Sequence, residues 1–221
     1  MSVIQYLEDD QNRKAQPLSS DLFSELQEDI LTGKLKDGSK LTESRICSQY
    51  GVSRTPVREA LRQLEADGLI ETIPNRGAFV TGLSPQDIRD INVMQKSAEI
   101  QAVQWAIQRI TKEEMEELNE TFEFMEFYTM KNDIPKMLNI NMAFHQIIYH
   151  ATHSRMLIQQ LSTYQLYLQY CDPSNYYAPN YLSDVLGEHR SIYGAFLKHD
   201  PEEGAEAMER HMRNSERRKF K

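Results

Sequence analysis

Two arginines at helical spacing, Arg54 and Arg58, have side chains that can read DNA bases. They lie four residues apart, on one face of a helix that would begin at Ser53 and include Thr55 in its first turn. A guanidinium can donate two hydrogen bonds to guanine O6 and N7, and the two hydroxyls can bind phosphates or base edges. The free N–H groups at a helix start also favour a phosphate. These residue types predict a helix that enters the major groove.

The elements that must position this helix are short helices separated by turns. Residues 18–31 carry apolar side chains at helical spacing, and Thr42 can cap a second, shorter helix that Gly51 ends. Arg45 lies in that shorter helix and adds a cation just before the turn. The arginine helix comes third, and Gly68 is placed to end it. This order predicts a helix-turn-helix.

A predicted β-hairpin follows the third helix. Residues 69–73 and 78–81 are β-prone and flank a turn that contains Asn75, Arg76 and Gly77. A hairpin after three helices is typical of a winged helix-turn-helix, in which Asn75 and Arg76 would meet DNA at the wing tip. Gly77 has two interpretations, either a turn residue with positive φ or a tip without a side chain that approaches a groove closely.

The net charge of −8 is unevenly distributed along the chain. Residues 34–80 contain eight Lys and Arg against six Asp and Glu, whereas residues 1–33 and 81–221 are both acidic. Phosphate binding depends on charges within about 8–10 Å, so an acidic chain can still carry a basic DNA-binding face.

Export and membrane insertion are not indicated. The first residues lack an apolar signal core, and no run of about 18 apolar residues occurs, so we expect a cytoplasmic protein without a transmembrane helix. Cys47 and Cys171 are far apart and neither belongs to a CxxC pair, which argues against a cysteine-rich zinc site.

The chain beyond residue 83 has a helical pattern without strand signals. Helices are predicted over residues 85–109, 112–130, 133–152, 155–171, 179–199 and 201–218. We therefore expect a mostly α protein with a flexible N-terminus at 1–16, a winged helix-turn-helix at 17–82 and an all-α antiparallel bundle at 83–221. Several tyrosines of the bundle can pack its core or line a pocket, namely Tyr164, Tyr167, Tyr170, Tyr176, Tyr177 and Tyr181.

The run SRTPVREALRQLEADGLI, followed by NRGAFV, resembles the signature of the GntR family of bacterial regulators over about residues 18–82. The resemblance implies a transcription regulator that binds a palindromic operator as a homodimer, with the wing tip near the minor groove. The family's DNA contacts carry over to Arg45, Ser53, Arg54, Thr55, Arg58, Asn75, Arg76 and Gly77.

Residues 85–221 resemble the FadR-type branch of that family, whose C-terminal FCD domain is a helical bundle around an effector pocket. The six predicted helices resemble the smaller, VanR-like form of this domain, and a seventh helix is the alternative. The motifs are Asn141 to His145, the run that starts at Glu188-His189, and the run that ends at His211-Met212. In metal-binding members, residues placed like Asn141, His145, His189 and His211 hold zinc, nickel, iron or manganese.

Residue chemistry is compatible with this site but does not establish it. Asn141 and His145 face the same way on one helix, and three imidazoles with an oxygen suit such metals. The alternative is that each histidine is an ordinary core or surface residue. The family usually has Asp at position 141, and the neutral oxygen of Asn141 is a poorer ligand for a hard cation, which weakens the expectation of a metal. Many relatives have Arg where this chain has Gln95, which weakens the expectation of an organic-acid effector.

The main hypothesis is a repressor or activator whose operator binding changes with a small-molecule effector, because the effector alters the spacing of the DNA-binding heads. A metal-dependent hydrolase with a DNA-binding appendage is the rival. The sequence has no HExxH, no glycine-rich phosphate loop and no GxSxG, so we expect no enzyme. A constitutive architectural protein would leave the bundle without a role beyond pairing.

Overall fold

The structure, a computed structural model, describes residues 19–170 and 180–219. They form two compact units, and the chain passes from the first to the second between Arg89 and Asp90. Some features named in the sequence analysis lie outside the described residues. They are the predicted flexible segment 1–16, the predicted helix ends at 171 and 179, and the residues Leu18, Cys171, Tyr176 and Tyr177.

The first unit is the predicted winged helix-turn-helix. Its described elements are α1 (Ser19–Leu31), β1 (Lys40–Leu41), α2 (Glu43–Tyr50), α3 (Arg54–Ala66), β2 (Ile70–Ile73) and β3 (Gly77–Val80). Leu22 and Leu26 of α1 are buried together with Val57 and Leu64 of α3, so the predicted apolar stripes form the core of this unit.

The hairpin is part of a three-stranded antiparallel sheet with the order β1-β3-β2. Ile73 lies opposite Gly77 in the predicted hairpin, and Leu41 of β1 lies opposite Ala78. Strand β1 was not predicted, because two residues are too few to show the alternation of a strand. It joins the segment before α2 to the wing.

Two turns set the direction of α3. The side chain of Thr42 accepts a hydrogen bond from the Arg45 amide at 3.4 Å, as predicted for a cap, and Gly51 ends α2 with a φ of 67°. Gly68 follows α3 with a φ of 75°. Both glycines occupy the left-handed region, where a residue with a Cβ is disfavoured.

The second unit is helical throughout its described residues. Its elements are α4 (Pro85–Arg109), α5 (Lys112–Met130), α6 (Ile134–Ala151), α7 (Arg155–Gln169), α8 (Tyr181–Lys198) and α9 (Pro201–Lys219). Phe144 and Tyr149 of α6 are fully buried in its core with Leu118 of α5 and Phe196 of α8. None of the described helices is both long enough and apolar enough to cross a bilayer.

A capping box fixes the start of α5, at the break that Thr111 predicts. The Thr111 hydroxyl accepts from the Glu114 amide at 3.2 Å, and the Glu114 carboxylate accepts from the Thr111 amide at 2.9 Å. We expect Thr111→Ala to lower the free energy of unfolding by about 1 kcal/mol in urea denaturation. Thr111→Ser keeps the hydroxyl and should cost less. Equal losses in the two variants would contradict a capping role.

Candidate functional site

The start of α3 presents polar side chains to solvent. Ser53 has the extended backbone of an N-cap, yet its hydroxyl accepts no capping hydrogen bond. Ser53, Arg54, Thr55 and Arg58 are all exposed, while Val57 points into the core. Within the described ranges no ion pair holds Arg54, although its charge helps to lower the pKa of Glu43, so its guanidinium donors are open to an external partner.

Arg58 differs from Arg54 because it carries an anionic partner. Its Nε donates to Glu43 Oε1 of α2 at 2.7 Å. The hydrogen bond from Arg58 lowers the pKa of the Glu43 carboxyl, so this side chain is ionised at neutral pH. The pair joins the two helices of the helix-turn-helix through the Nε of Arg58.

The wing tip is exposed, and its backbone is left-handed at two positions. Asn75 has a φ of 62° and Gly77 a φ of 102°. A Cβ at Gly77 would lie 3.1 Å from Lys40 Cε, so both interpretations of this glycine keep a physical basis. Arg76 is exposed beside Phe79, with its Cζ 6.0 Å from the ring centroid. Arg45 of α2 is exposed as well.

Lys40 is a wing residue that the sequence interpretation missed. Its Nζ lies 5.8 Å from the Phe79 ring centroid, because β1 pairs with β3. The preceding turn residues concealed its place in a strand. Lys40 adds a cation to the wing beside Gly77.

Three histidines converge in the second unit. His145 of α6, His189 of α8 and His211 of α9 are 4%, 0% and 5% exposed. One nitrogen from each ring lies within 4.8 Å of the others. The structure therefore brings together three of the four residues named as metal ligands, from three helices that are distant in sequence.

The Nδ1 atom of each histidine is engaged outside the cluster. His145 Nδ1 lies 3.2 Å from Glu99 Oε2, and His211 Nδ1 lies 2.9 Å from Glu188 Oε2. His189 Nδ1 lies 2.8 Å from the Val185 carbonyl oxygen. A carbonyl only accepts, so His189 Nδ1 carries the proton and its Nε2 has a lone pair. Metal-binding histidines typically donate their other nitrogen to a carboxylate or carbonyl in this way.

Burial favours the neutral form of two of these imidazoles, His189 and His211. Burial lowers the pKa of His189 well below its usual value, and His211 and His145 lower it further. Burial also lowers the pKa of His211, although Glu188 opposes the shift. Neutral rings have the lone pairs that a metal requires.

Unpartnered buried atoms supply the test of whether these residues fit a metal. Among the described side chains, His189 Nε2, Asn141 Oδ1 and Gln95 Oε1 are buried without a hydrogen-bond partner. Asn141 precedes His145 by one turn of α6, so both face one side of that helix. Buried polar atoms normally have partners, and a cation held by the histidines and Asn141 would supply one to the first two of these atoms. The donor set therefore fits a divalent metal.

Glu99 gives a second reason to expect a cation nearby. It is 1% exposed, and its carboxylate accepts a hydrogen bond from the Tyr149 hydroxyl. His145 Nδ1 contacts Oε2 of the same group, and the Gln95 side-chain amide donates to Oε1 at 3.4 Å. A carboxylate so deeply buried requires strong compensation. A metal on His145 would supply positive charge one imidazole away. The sequence interpretation named Glu188 only as part of a motif and gave Glu99 no role.

A cavity of about 360 Å³ opens beside the histidines. His145, His211 and Asn141 line it, together with Gln95. The other polar lining residues are Glu99, Asn139, Tyr149, Gln165, Gln169, Tyr170, Tyr181, Ser215 and Arg218. Tyr167 is buried in the bundle, so the described tyrosines of the run serve both packing and the cavity.

Two further histidines lie apart from the cluster. His150 is exposed on α6, and His153 Nε2 lies 3.0 Å from Glu114 Oε1 at the start of α5. Neither belongs to the group of three histidines whose ring nitrogens converge.

Comparison with known families matches both parts of the chain. Residues 18–80 match the family described as bacterial regulatory proteins, gntR family, and residues 90–214 match the FCD domain. The second match covers more than half of the chain.

Individual relatives agree with these matches. The HTH-type transcriptional regulator YdhC of Bacillus subtilis is 28% identical over 86% of this chain and 85% of its own length. The HTH-type transcriptional repressor RspR of Escherichia coli is 24% identical over 89% of this chain and 86% of its own. The structure of E. coli McbR/YncC has the same fold, with a TM-score of 0.70 and 24% sequence identity. The similarity covers 91% of this chain and 96% of the McbR/YncC chain.

Proposed function

Because the chain belongs to the GntR family of DNA-binding transcription regulators and carries an FCD domain, we propose that it is a homodimeric regulator whose binding to a palindromic operator changes with a small-molecule effector. Its relatives are transcription regulators rather than enzymes. The proposed place of action is the bacterial cytoplasm, where operator DNA is found.

The exposed start of α3 supports the DNA-binding part of this proposal. Arg54 would read a guanine, Ser53 and Thr55 would hold phosphates, and Arg58 would read a base after giving up or sharing Glu43. Wing contacts are assigned to Asn75, Arg76 and Gly77, and a further phosphate contact to Arg45.

The observation that carries the sensing part is the convergence of three buried histidines beside a cavity. We assign His145, His189, His211 and Asn141 as ligands of a divalent metal. When bound, the metal supplies a positively charged coordination position at the edge of the cavity. Glu99, Glu188 and the Val185 carbonyl hold the three rings in orientation.

The proposed effector is a small polar molecule, with an organic acid as the first class to test. Arg218, a cation of the cavity wall, already donates to both carboxylate oxygens of Glu188, at 2.9 and 2.7 Å. Although burial opposes it, hydrogen bonds from Arg218 and His211 lower the pKa of Glu188 to about 2, so the pair is charged. Gln95 is neutral. An acidic effector would therefore depend on the metal as its positively charged partner. Removing the metal with a chelator should abolish binding of the effector.

The proposed function is tested by selecting an operator from random duplex DNA and then screening metabolites. We expect a two-fold symmetric sequence to be enriched, and we expect an effector to raise the melting temperature and change the gel-shift affinity. Enrichment of no sequence would contradict operator binding. A ligand that saturates the cavity without changing operator affinity would contradict the regulatory coupling.

A further inference from the structure

The fourth position of the proposed metal site is an amide rather than a carboxylate. Resting on the proposed metal site, we infer that Asn141 sets the metal selectivity of this protein, favouring zinc and nickel over manganese. Asn141 Oδ1 is buried without a partner, one turn from His145 and on the same cavity wall. Asn141 therefore shares the cavity wall with His145 and His211, and its chemistry differs from that of an aspartate.

The donor set is neutral at every position that would touch the metal. An imidazole binds a metal as the neutral ring and an amide oxygen carries no charge, so none of the four donors is anionic. Nickel and zinc gain much of their affinity from imidazole nitrogens, whereas manganese, a harder cation, depends more on anionic oxygen. Compared with an aspartate at position 141, the amide of Asn141 lacks the one anionic ligand oxygen. This difference lowers the affinity for manganese more than the affinities for zinc and nickel.

Negative charge is present one shell further out. Glu99 and Glu188 contact the Nδ1 atoms of His145 and His211, and such carboxylate contacts strengthen metal-bound imidazoles as nitrogen donors. This arrangement strengthens nitrogen donors without providing an anionic oxygen at the metal. It favours the same late divalent metals that the neutral amide favours.

A competing explanation gives Asn141 a metal-free role. If its amide were turned, Nδ2 could donate to a histidine lone pair and the cluster would be a hydrogen-bonded core. In that case none of the three cations binds at the cluster. Direct metal titration separates this explanation from the selectivity role.

The test measures dissociation constants for zinc, nickel and manganese by competition titration of chelator-treated full-length protein. Asn141→Asp is expected to increase manganese affinity at least about tenfold more than zinc affinity. Asn139→Asp is the matched control, because it adds the same charge to the same cavity wall, and it should leave the zinc-to-manganese ratio unchanged. An equal effect of both substitutions, or no change of the ratio in Asn141→Asp, would overturn the inference.

Asn141→Ser supplies a second measurement if the aspartate variant folds poorly. It removes the amide without adding charge and should weaken binding of zinc and nickel. Unchanged affinities would show that Asn141 is no ligand and would overturn the inference. Failure of the wild-type protein to bind any of the three metals would overturn it together with the proposed metal site, while operator binding, measured separately by gel shift, would stand.

Discussion

Replacing Arg54 by alanine is expected to weaken binding to the selected operator by about 1–3 kcal/mol, the range for losing a bidentate contact to a guanine. Arg54 is exposed at the first position of α3, so the free energy of unfolding should change little. Gel-shift titration at one fixed salt concentration measures the first quantity, and urea denaturation measures the second.

Arg62→Ala is the matched control for this prediction. It removes the same charge from the same helix, about two turns further on, where Arg62 is paired with Glu59 at 2.9 Å. We expect it to affect operator affinity much less. Equal losses in both variants would indicate a general charge effect, and unchanged affinity of Arg54→Ala would reject its assignment as a base-reading residue.

Replacing His145 by alanine is expected to remove most of the metal from the protein. The wild type should bind about one ion per chain, since three imidazoles and an oxygen form one four-coordinate site. At a free zinc concentration of ~100 times the dissociation constant, binding stabilises the folded wild type by about 2.7 kcal/mol. His145→Ala should lose nearly all of that zinc-dependent stabilisation, measured by metal analysis and by denaturation with and without zinc.

The exposed His150 provides the control, because it lies on the same helix but outside the cluster. His150→Ala should retain both the metal and the zinc-dependent stabilisation. Full metal content in His145→Ala would show that metal binds elsewhere. Low content in both variants would point to a surface site shared by several histidines.

Local signals in the sequence predicted most of the fold. The predicted helix starts at residues 112, 133 and 201 agree within one residue with the helices that begin at Lys112, Ile134 and Pro201. Capping residues such as Thr111 act within one turn of chain, so they can be identified without knowing the tertiary structure. Strand β1 could not be identified in this way, since its formation depends on pairing with β3.

The site was only partly predictable. The spacing of Asn141 and His145 places them on one face of a helix, but their convergence with His189 and His211 depends on how three helices pack. The contacts of Glu99 and Glu188 with the rings depend on the same packing. Family resemblance suggested the ligands, and no local pattern indicated the carboxylates behind them.

The ion pair between Glu43 and Arg58 bears on how the proposed regulator would distinguish its operator from other DNA. Arg58 would approach a duplex with an internal counterion already in place. Exchanging Glu43 for a backbone phosphate would substitute one anion for another, so this contact would add little net attraction at a random sequence. A guanine edge that accepts two hydrogen bonds would compensate more fully for the loss of this exposed partner. In the proposed complex, Glu43 would therefore reduce non-specific affinity more than operator affinity.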